Sequence, residues 1–560
     1  LVKKFVFFLL AFGLILGSTQ LASAQKTAEL KGTVVSAGQK PLTKAHVRLF
    51  SLVDLKKPLS SVEVASDGSF KLPVPSNGWF TVECTSVDHK RLTFPLLVDQ
   101  TEPIKVSVKL KNNQYVDDFS KLKVITDLDN FSPKGAKSLE KQADGTYAVE
   151  FETTKDKVAY QIAGLETQGG TINGTNSDEF EYDGGGDYRS VVKTQNGKVR
   201  IVFDPTKLVR LTEPASVVFA DTSSPAGKVG ELFAGFKQRE DAFQAAFNAK
   251  IKAKVDNAEM QKFFKSYDES EVLPGLAQTI ESEKNKSVRH YAMVTYLKVK
   301  SDKKDKTIAQ KALEEIPVSS DLWASNPYLM LGALEQAGWK DRQEQYIQTI
   351  LEKGASSNFK AAALFSGLSD ADEAENEPLT RQYYDRLMKD FGDTQMAQMA
   401  KMPFNPYRKV KAGQPLPAFL IKDIENQQVA YSNDSIKGKI YLIDFWAVWC
   451  GPCVGEMENL HKAYDKFKGK NFEILSLSFD QKPEDVKKFR EEKWKMPWKH
   501  AFVEGNFRSE LAKLFEVNGI PKPILVDETG KIIAIEGKLR GETLEQTLGK
   551  VFADRQNAPK

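Results

Sequence analysis

Only three cysteines occur in 560 residues: Cys84, Cys450 and Cys453. That scarcity excludes a disulfide-stapled scaffold, because one pair cannot hold so long a chain together. Histidine is also rare. His46, His89, His290, His461 and His500 form no H-E-x-x-H and no zinc spacing, so no metal site is expected. Neither charge sign dominates: 79 basic and 75 acidic side chains leave a net +4, which speaks against a nucleic-acid footprint or a polybasic membrane binder. The chain has no P-loop and no G-x-G-x-x-G, and thus no nucleotide, nicotinamide or flavin fingerprint. Beyond residue 17 no apolar run is long enough to span a bilayer. With 41% hydrophobic and 28% charged residues, 36 glycines and 24 prolines, the chain is neither collagen-like nor wholly disordered.

What is present begins with an address. Lys3 and Lys4 precede an apolar run over 5–17, and Ala22-Ser23-Ala24 supplies small residues at a cleavage position. This predicts a cleaved signal peptide over 1–24 and export to the periplasm or cell envelope. At roughly 150 residues per domain, the remainder suggests three or four domains.

Over 25–112 short alternating segments are separated by turn signals. Phe70 and Leu72 follow the Asp67-Gly68 turn, and Phe80, Val82 and Cys84 alternate after Gly78, a period-two pattern that predicts a small β-sandwich with Cys84 as a core thiol. The strings Lys31-Gly32-Thr33-Val34, Pro41-Leu42, Ala45-His46-Val47 and Asp67-Gly68-Ser69-Phe70 resemble the carboxypeptidase regulatory-like domain. That resemblance implies a seven-stranded, non-catalytic sandwich. Residues 113–225 are again β-rich, with Tyr147 to Phe151 after Asp144-Gly145 and alternating Val199, Ile201 and Phe203 after Asn196-Gly197. The stretch from Asp127 to Pro133 resembles an immunoglobulin-like glycan-binding module, with Phe131 where such modules place a Trp, which argues against sugar binding. The loop Asp183-Gly184-Gly185-Gly186-Asp187, beside Glu179 and Glu181, lacks the alternating ligands of a calcium loop and reads as a flexible solvated turn.

Over 226–402 the period becomes 3.6. Val288, Tyr291, Ala292, Tyr296 and Val299 share one helical face. Asn326-Pro327 reads as a helix start that Gly338 ends. The expectation is an α-hairpin domain without a clean 34-residue repeat. Its stripes read as core, with client binding by the helical or β domains as the sharper alternative.

A Pro-containing stretch leads into the last domain, 403–560. It predicts a hairpin, strand 439–446, helix from 450, strand 473–479, helices 483–493 and 507–516, strands 523–527 and 531–536, and helix 541–553: an α/β sandwich. The chemistry sits at Trp449-Cys450-Gly451-Pro452-Cys453. A C-x-x-C between a strand and a helix is a redox arrangement, because cysteines three apart on a first helical turn can interconvert between dithiol and disulfide with little backbone movement. Unpaired N–H groups and the helix dipole favour a thiolate at Cys450, making it the attacking thiol and Cys453 the resolving one. Structural zinc would need four ligands where only two are local, and haem attachment would need His where Val454 stands. No cofactor is expected beyond a redox-active Cys450–Cys453 disulfide.

Residues 410–555 resemble the thioredoxin fold, and the string from Asp444 to Cys453 is close to the thioredoxin active-site sequence. The N-terminal hairpin, the insertion near 481–498 and Glu456 resemble exported TlpA/ResA-type thiol-disulfide oxidoreductases. The resemblance implies a buried carboxylate at Asp444 and a second acid at Glu456, either of which can exchange the proton of Cys453; the plain alternative for Glu456 is a solvated helix residue. It also implies a cis-proline loop at Ile520-Pro521 facing the disulfide, where Trp449, Gly451, Pro452, Ile520 and Pro521 would bind substrate. Where thioredoxins often keep a Lys near the buried acid, this chain has Ser476. Gly451-Pro452 matches the reducing dipeptide, whose potential lies near about −270 mV. The expected function is an exported reductase or isomerase of protein disulfides, fed by a membrane electron donor. The competing reading is an envelope binding or scaffold protein with an accessory redox domain.

Overall fold

In a computed structural model the chain forms two compact units, residues 1–404 and 405–560. The structure describes residues 27–556 except 76, 166–169, 178, 212 and 254. The signal peptide expected over 1–24 lies outside the described residues.

The first unit is β-rich and then helical. Two four-stranded sheets face each other over a core that includes Leu30, Val47, Leu72, Val82 and Phe94. Cys84 is in that core, fully buried, and burial pushes its thiol pKa up. The second β region supplies a three-stranded and a six-stranded sheet around Phe151, Tyr160, Ile162 and Phe203. The chain then returns to the first sandwich. Strand Ser216–Phe219, which the sequence groups with the second β region, pairs antiparallel with Ile104–Lys109. Its apolar alternation is equally legible in either setting, so only the pairing identifies its sheet.

The glycine loop at 183–187 is occupied, but by protein. The buried Arg48 guanidinium donates to the carbonyls of Gly184 (3.3 Å) and Gly185 (2.9 Å), and its Nε donates to Glu83 (2.8 Å). Gly186 has φ +103°, and a Cβ there would lie 2.2 Å from Arg48 Nη2. Asp183, Gly184, Gly185 and Asp187 are exposed, as expected of a solvated turn, and the carbonyls of the loop also clamp the two β regions together through Arg48.

Helix Pro225–Lys252 follows, capped by Ser224, whose Oγ accepts from the Gly227 amide. It lies against the returning strand because Gly230 leaves room for Phe219; a Cβ there would sit 2.4 Å from that ring. Leu97, Val229 and Val288 form a small core where the sandwich meets the helices, with Trp79 stacked on Tyr291 at 5.5 Å. Further helices, among them Lys286–Lys298, Gln343–Lys353, Ser357–Glu373 and Glu377–Phe391, bury their stripes in one core. Asn326 starts no helix. Its side-chain amide donates to Leu322 O, closing the short helix Asp321–Ala324, and the next helix is Leu329–Gln336. Among the described residues no helix is long and apolar enough to cross a membrane.

The second unit is built on one five-stranded sheet. Its order is Lys499–Phe502, Phe472–Ser478, Ile440–Trp446, Lys522–Val526, Ile532–Ile535. The first three strands run parallel and the last two are antiparallel additions. Helices Met457–Phe467 and Glu542–Gln556 lie together, Phe467 stacking on Phe552 at 5.1 Å. Helix Pro483–Glu492 packs through Phe489 on Trp446 at 5.4 Å. A hairpin, Leu420–Lys422 with Ala430–Ser432, precedes the sheet. The edge strand Lys499–Phe502 has no counterpart in the sequence reading, and the helix read over 507–516 divides into a 3-10 turn, Asn506–Arg508, and a short helix, Glu510–Leu514. Both are short segments whose polarity follows the loops around them.

Candidate active site

The central strand Ile440–Trp446 delivers the site. All seven of its residues are buried, as a near-continuous apolar strand between helical layers demands, and Asp444 is carried in with them. Beyond Trp446 the chain is pinned from the side. The Val448 amide donates to the Asp480 carboxylate (3.1 Å), which also accepts from Ser478 Oγ (2.8 Å). Asp480 is itself buried, and burial holds its pKa above the ordinary carboxylate range.

This pin sets the entry to the cysteine pair. Cys450 is the N-cap of helix Gly451–Gly455, with Pro452 in its first turn, and Cys450 Sγ accepts from the Cys453 amide at 3.2 Å. One helical turn brings the two Cα atoms to 5.2 Å, and the sulfurs are joined as a disulfide. Cys453 is 1% exposed and Cys450 5%, whereas Trp449 beside them is 55% exposed. Gly451 and Pro452 are exposed as well. The Trp449 ring lies 6.3 Å from Phe507, an exposed partner that the sequence did not single out.

Opposite the disulfide stands the loop before strand Lys522–Val526. The Ile520–Pro521 peptide is cis, and the Ile520 carbonyl oxygen lies 3.7 Å from Cys450 Sγ. Pro521 is buried and Ile520 partly so. On the central strand, six residues before Cys450, Asp444 is 4% exposed. Burial raises its pKa to about 7, with the Arg540 charge pulling it down and the Glu456 charge pushing it further up. The group therefore exchanges a proton near neutrality.

Glu456 is not a solvated helix residue. It stands at the break between helix Gly451–Gly455 and helix Met457–Phe467, half-buried, and Oε2 accepts from Asn459 Nδ2 (2.9 Å) and the Gly541 amide (2.8 Å). Ser476 lies in register with Asp444, carries no charge, and accepts from Trp498 Nε1 (2.9 Å). The positive charge acting on Asp444 comes from Arg540, which also donates to the Pro521 carbonyl. The structure places Cys450, Gly451, Pro452 and Cys453 in one helical turn with Trp449 before it and Glu456 after it, sets Ile520 against Cys450 Sγ, and brings Asp480, Phe507 and Arg540 to the neighbouring Val448, Trp449 and Pro521. No local motif marks Asp480, Phe507 or Arg540, since each reaches the site through the tertiary fold. A dithiol–disulfide pair at a helix's leading end, faced by the Ile520 carbonyl and preceded on its strand by a buried carboxyl titrating near pH 7, can exchange disulfides and move the accompanying proton.

Comparison with known proteins agrees with this chemistry. The thioredoxin-like family pattern matches residues 438–532. The thiol-disulfide oxidoreductase ResA of Bacillus cereus (strain ATCC 10987 / NRS 248) is 32% identical over 149 residues, which is 26% of this chain and 83% of that protein. Human nucleoredoxin is 33% identical over 137 residues, 24% of this chain and 29% of its own length. Among solved structures, a thiol:disulfide interchange protein from Bacteroides sp. is 34% identical, covering 26% of this chain and 93% of that one, with a TM-score of 0.24.

Proposed function

The chain belongs, through its C-terminal domain, to the thioredoxin-like thiol-disulfide oxidoreductases that include ResA, and from that premise we propose that it is an exported reductase or isomerase of protein disulfides acting through Cys450 and Cys453. The supporting observation is the Cys450–Cys453 disulfide at the leading end of a helix, with the Ile520 carbonyl in front of it and buried Asp444 on the preceding strand.

In the reduced protein the Cys450 thiolate attacks one sulfur of a client disulfide, forming a Cys450–client disulfide and releasing one client thiolate. The Cys453 thiol gives its proton to Asp444, and the resulting thiolate attacks Cys450 Sγ. The mixed disulfide breaks, the second client thiolate leaves, and the Cys450–Cys453 disulfide remains. Two electrons have passed from the protein dithiol to the client, and the proton on Asp444 leaves with the client thiol or to water. The backbone at Ile520 supports the client segment as an added strand, with Trp449 beside it. A donor dithiol at the membrane restores the reduced form, since the chain has no nicotinamide or flavin motif of its own. The N-terminal β domains and the helical domain position the catalytic domain or hold a client.

Insulin reduction tests the reading. Wild-type protein should turn over and Cys450→Ser should not; equal rates in both would favour the scaffold alternative. A reduction potential above about −150 mV would reverse the direction to that of an oxidant. Cys453→Ala should trap the client as a stable mixed disulfide.

A further inference from the structure

The chain has no basic residue at the strand position next to its buried acid, yet a positive charge reaches that acid from the far end of the domain. Arg540 follows the last strand by several residues and precedes helix Glu542–Gln556. Its guanidinium donates to the carbonyl of Pro521, in the loop that faces Cys450. The next residue, Gly541, has a left-handed φ of +56° and donates its amide to Glu456 at 2.8 Å. Glu456 in turn sits three residues beyond Cys453. A closed circuit results: helix of the cysteine pair, Glu456, Gly541, Arg540, Pro521, and back across to Cys450.

We propose that Arg540 is a positioning residue of the redox site: its guanidinium holds the client-facing Pro521 loop while the adjoining Gly541 amide holds Glu456, so that the loop and the helix of the cysteine pair are set by one short segment. This rests on the disulfide-exchange reading above. Arg540 contacts neither sulfur and acts through Pro521, and its charge also favours the ionised form of Asp444.

Other groups around Asp444 leave this control to Arg540 and Glu456. On the neighbouring strand, Ser476 is taken up by Trp498, and His500 is held neutral by burial, its pKa near about 3, with Arg490 and Asp423 as its charged neighbours. On the other side the Lys522 ammonium donates to the Glu516 carbonyl (2.8 Å) and pairs with Glu536 at 3.8 Å. Arg540 and Glu456 act on Asp444 in opposite senses, the first favouring its ionised form and the second opposing it. Removing one or the other must therefore move its titration in opposite directions.

The experiment compares wild type, Arg540→Gln, Arg540→Lys and Glu456→Gln in two measurements: the pH dependence of insulin reduction, and the carbon-13 titration of the Asp444 carboxyl in reduced protein. Arg540→Gln should move both half-points to higher pH by about one unit or more, as loss of a neighbouring opposite charge does. At pH 7 that lowers the ionised fraction, and with it the rate, about fivefold. Arg540→Lys keeps the charge and should restore most of the wild-type profile. Glu456→Gln, which keeps an acceptor for the Gly541 amide, should move the Asp444 half-point to lower pH, and it carries the test should Arg540→Gln fail to fold. Unchanged half-points in both Gln variants would overturn the proposal. A wild type that reduces no insulin would sink the functional reading alone, because the carboxyl titration still reports on Arg540.

Discussion

Asp444 is the residue at which stability and activity oppose each other. A carboxyl with a pKa of about 7 in the fold, against ~3.9 in an unfolded chain, holds its proton more tightly when folded. It therefore costs no stability below pH ~4 and withdraws it progressively as pH rises toward 7, up to roughly 4 kcal/mol. Asp444→Asn removes the titration while keeping the shape. The variant should melt higher than wild type at pH 8, with the gap closing by pH 4, and should lose most insulin-reducing activity at neutral pH. A gap independent of pH would contradict the assignment. Part of the site was plain from residue types alone. Two cysteines at helical spacing after an apolar strand, with an acid six residues earlier, announce their chemistry locally. Arg540 does not, since 96 positions separate it from Asp444 and nothing in its neighbours distinguishes it from any helix-flanking arginine.

At the scale of elements, the same contrast between local and distant recurs. Strand Ile440–Trp446 and its helix were readable because a buried parallel strand is one apolar run. Strand Lys499–Phe502 was not, being an edge of four residues beside Pro497 and several lysines. The loop at 183–187 reads as solvated from its own small and polar residues, and four of the five are exposed; what its residues do not announce is the guanidinium that its carbonyls hold, which comes from a strand some 135 residues earlier. That clamp makes a firm prediction. Arg48→Ala strips the main partner from Glu83, whose side chain is 7% exposed, and leaves it facing Arg91 at 3.3 Å. Breaking such a buried pair costs about 3 kcal/mol or more. Chemical denaturation should show that loss in the transition of residues 1–404, while the rate of insulin reduction stays as in wild type. A loss under about 1 kcal/mol, the size of an exposed pair, would refute the clamp.

For the whole molecule, the division at 404/405 separates a large unit whose one cysteine, Cys84, is buried and unpaired with another thiol from a small one that carries the Cys450–Cys453 disulfide. Residues 405–560 bury their own core, from Val410 through Phe445 and Phe479 to Phe552. Expressed alone, they should fold, form the Cys450–Cys453 disulfide and reduce insulin. In calorimetry the full chain should unfold in two transitions, one of them matching the fragment within about 2–4 °C. A fragment that stays unfolded would show that the redox unit depends on the rest. The larger unit has a different dependence, one of timing. Ile104–Lys109 gains its outer neighbour only when Ser216–Phe219 arrives, roughly a hundred residues and some 5–20 s of translation later. Throughout that interval a nascent chain carries a bare row of amides and carbonyls, ready to adhere to any extended polypeptide nearby. A ribosome that stops near residue 112 leaves Ile104–Lys109 as the bare edge of its sheet, and one that stops past 220 has covered it with Ser216–Phe219, which becomes the edge in its place.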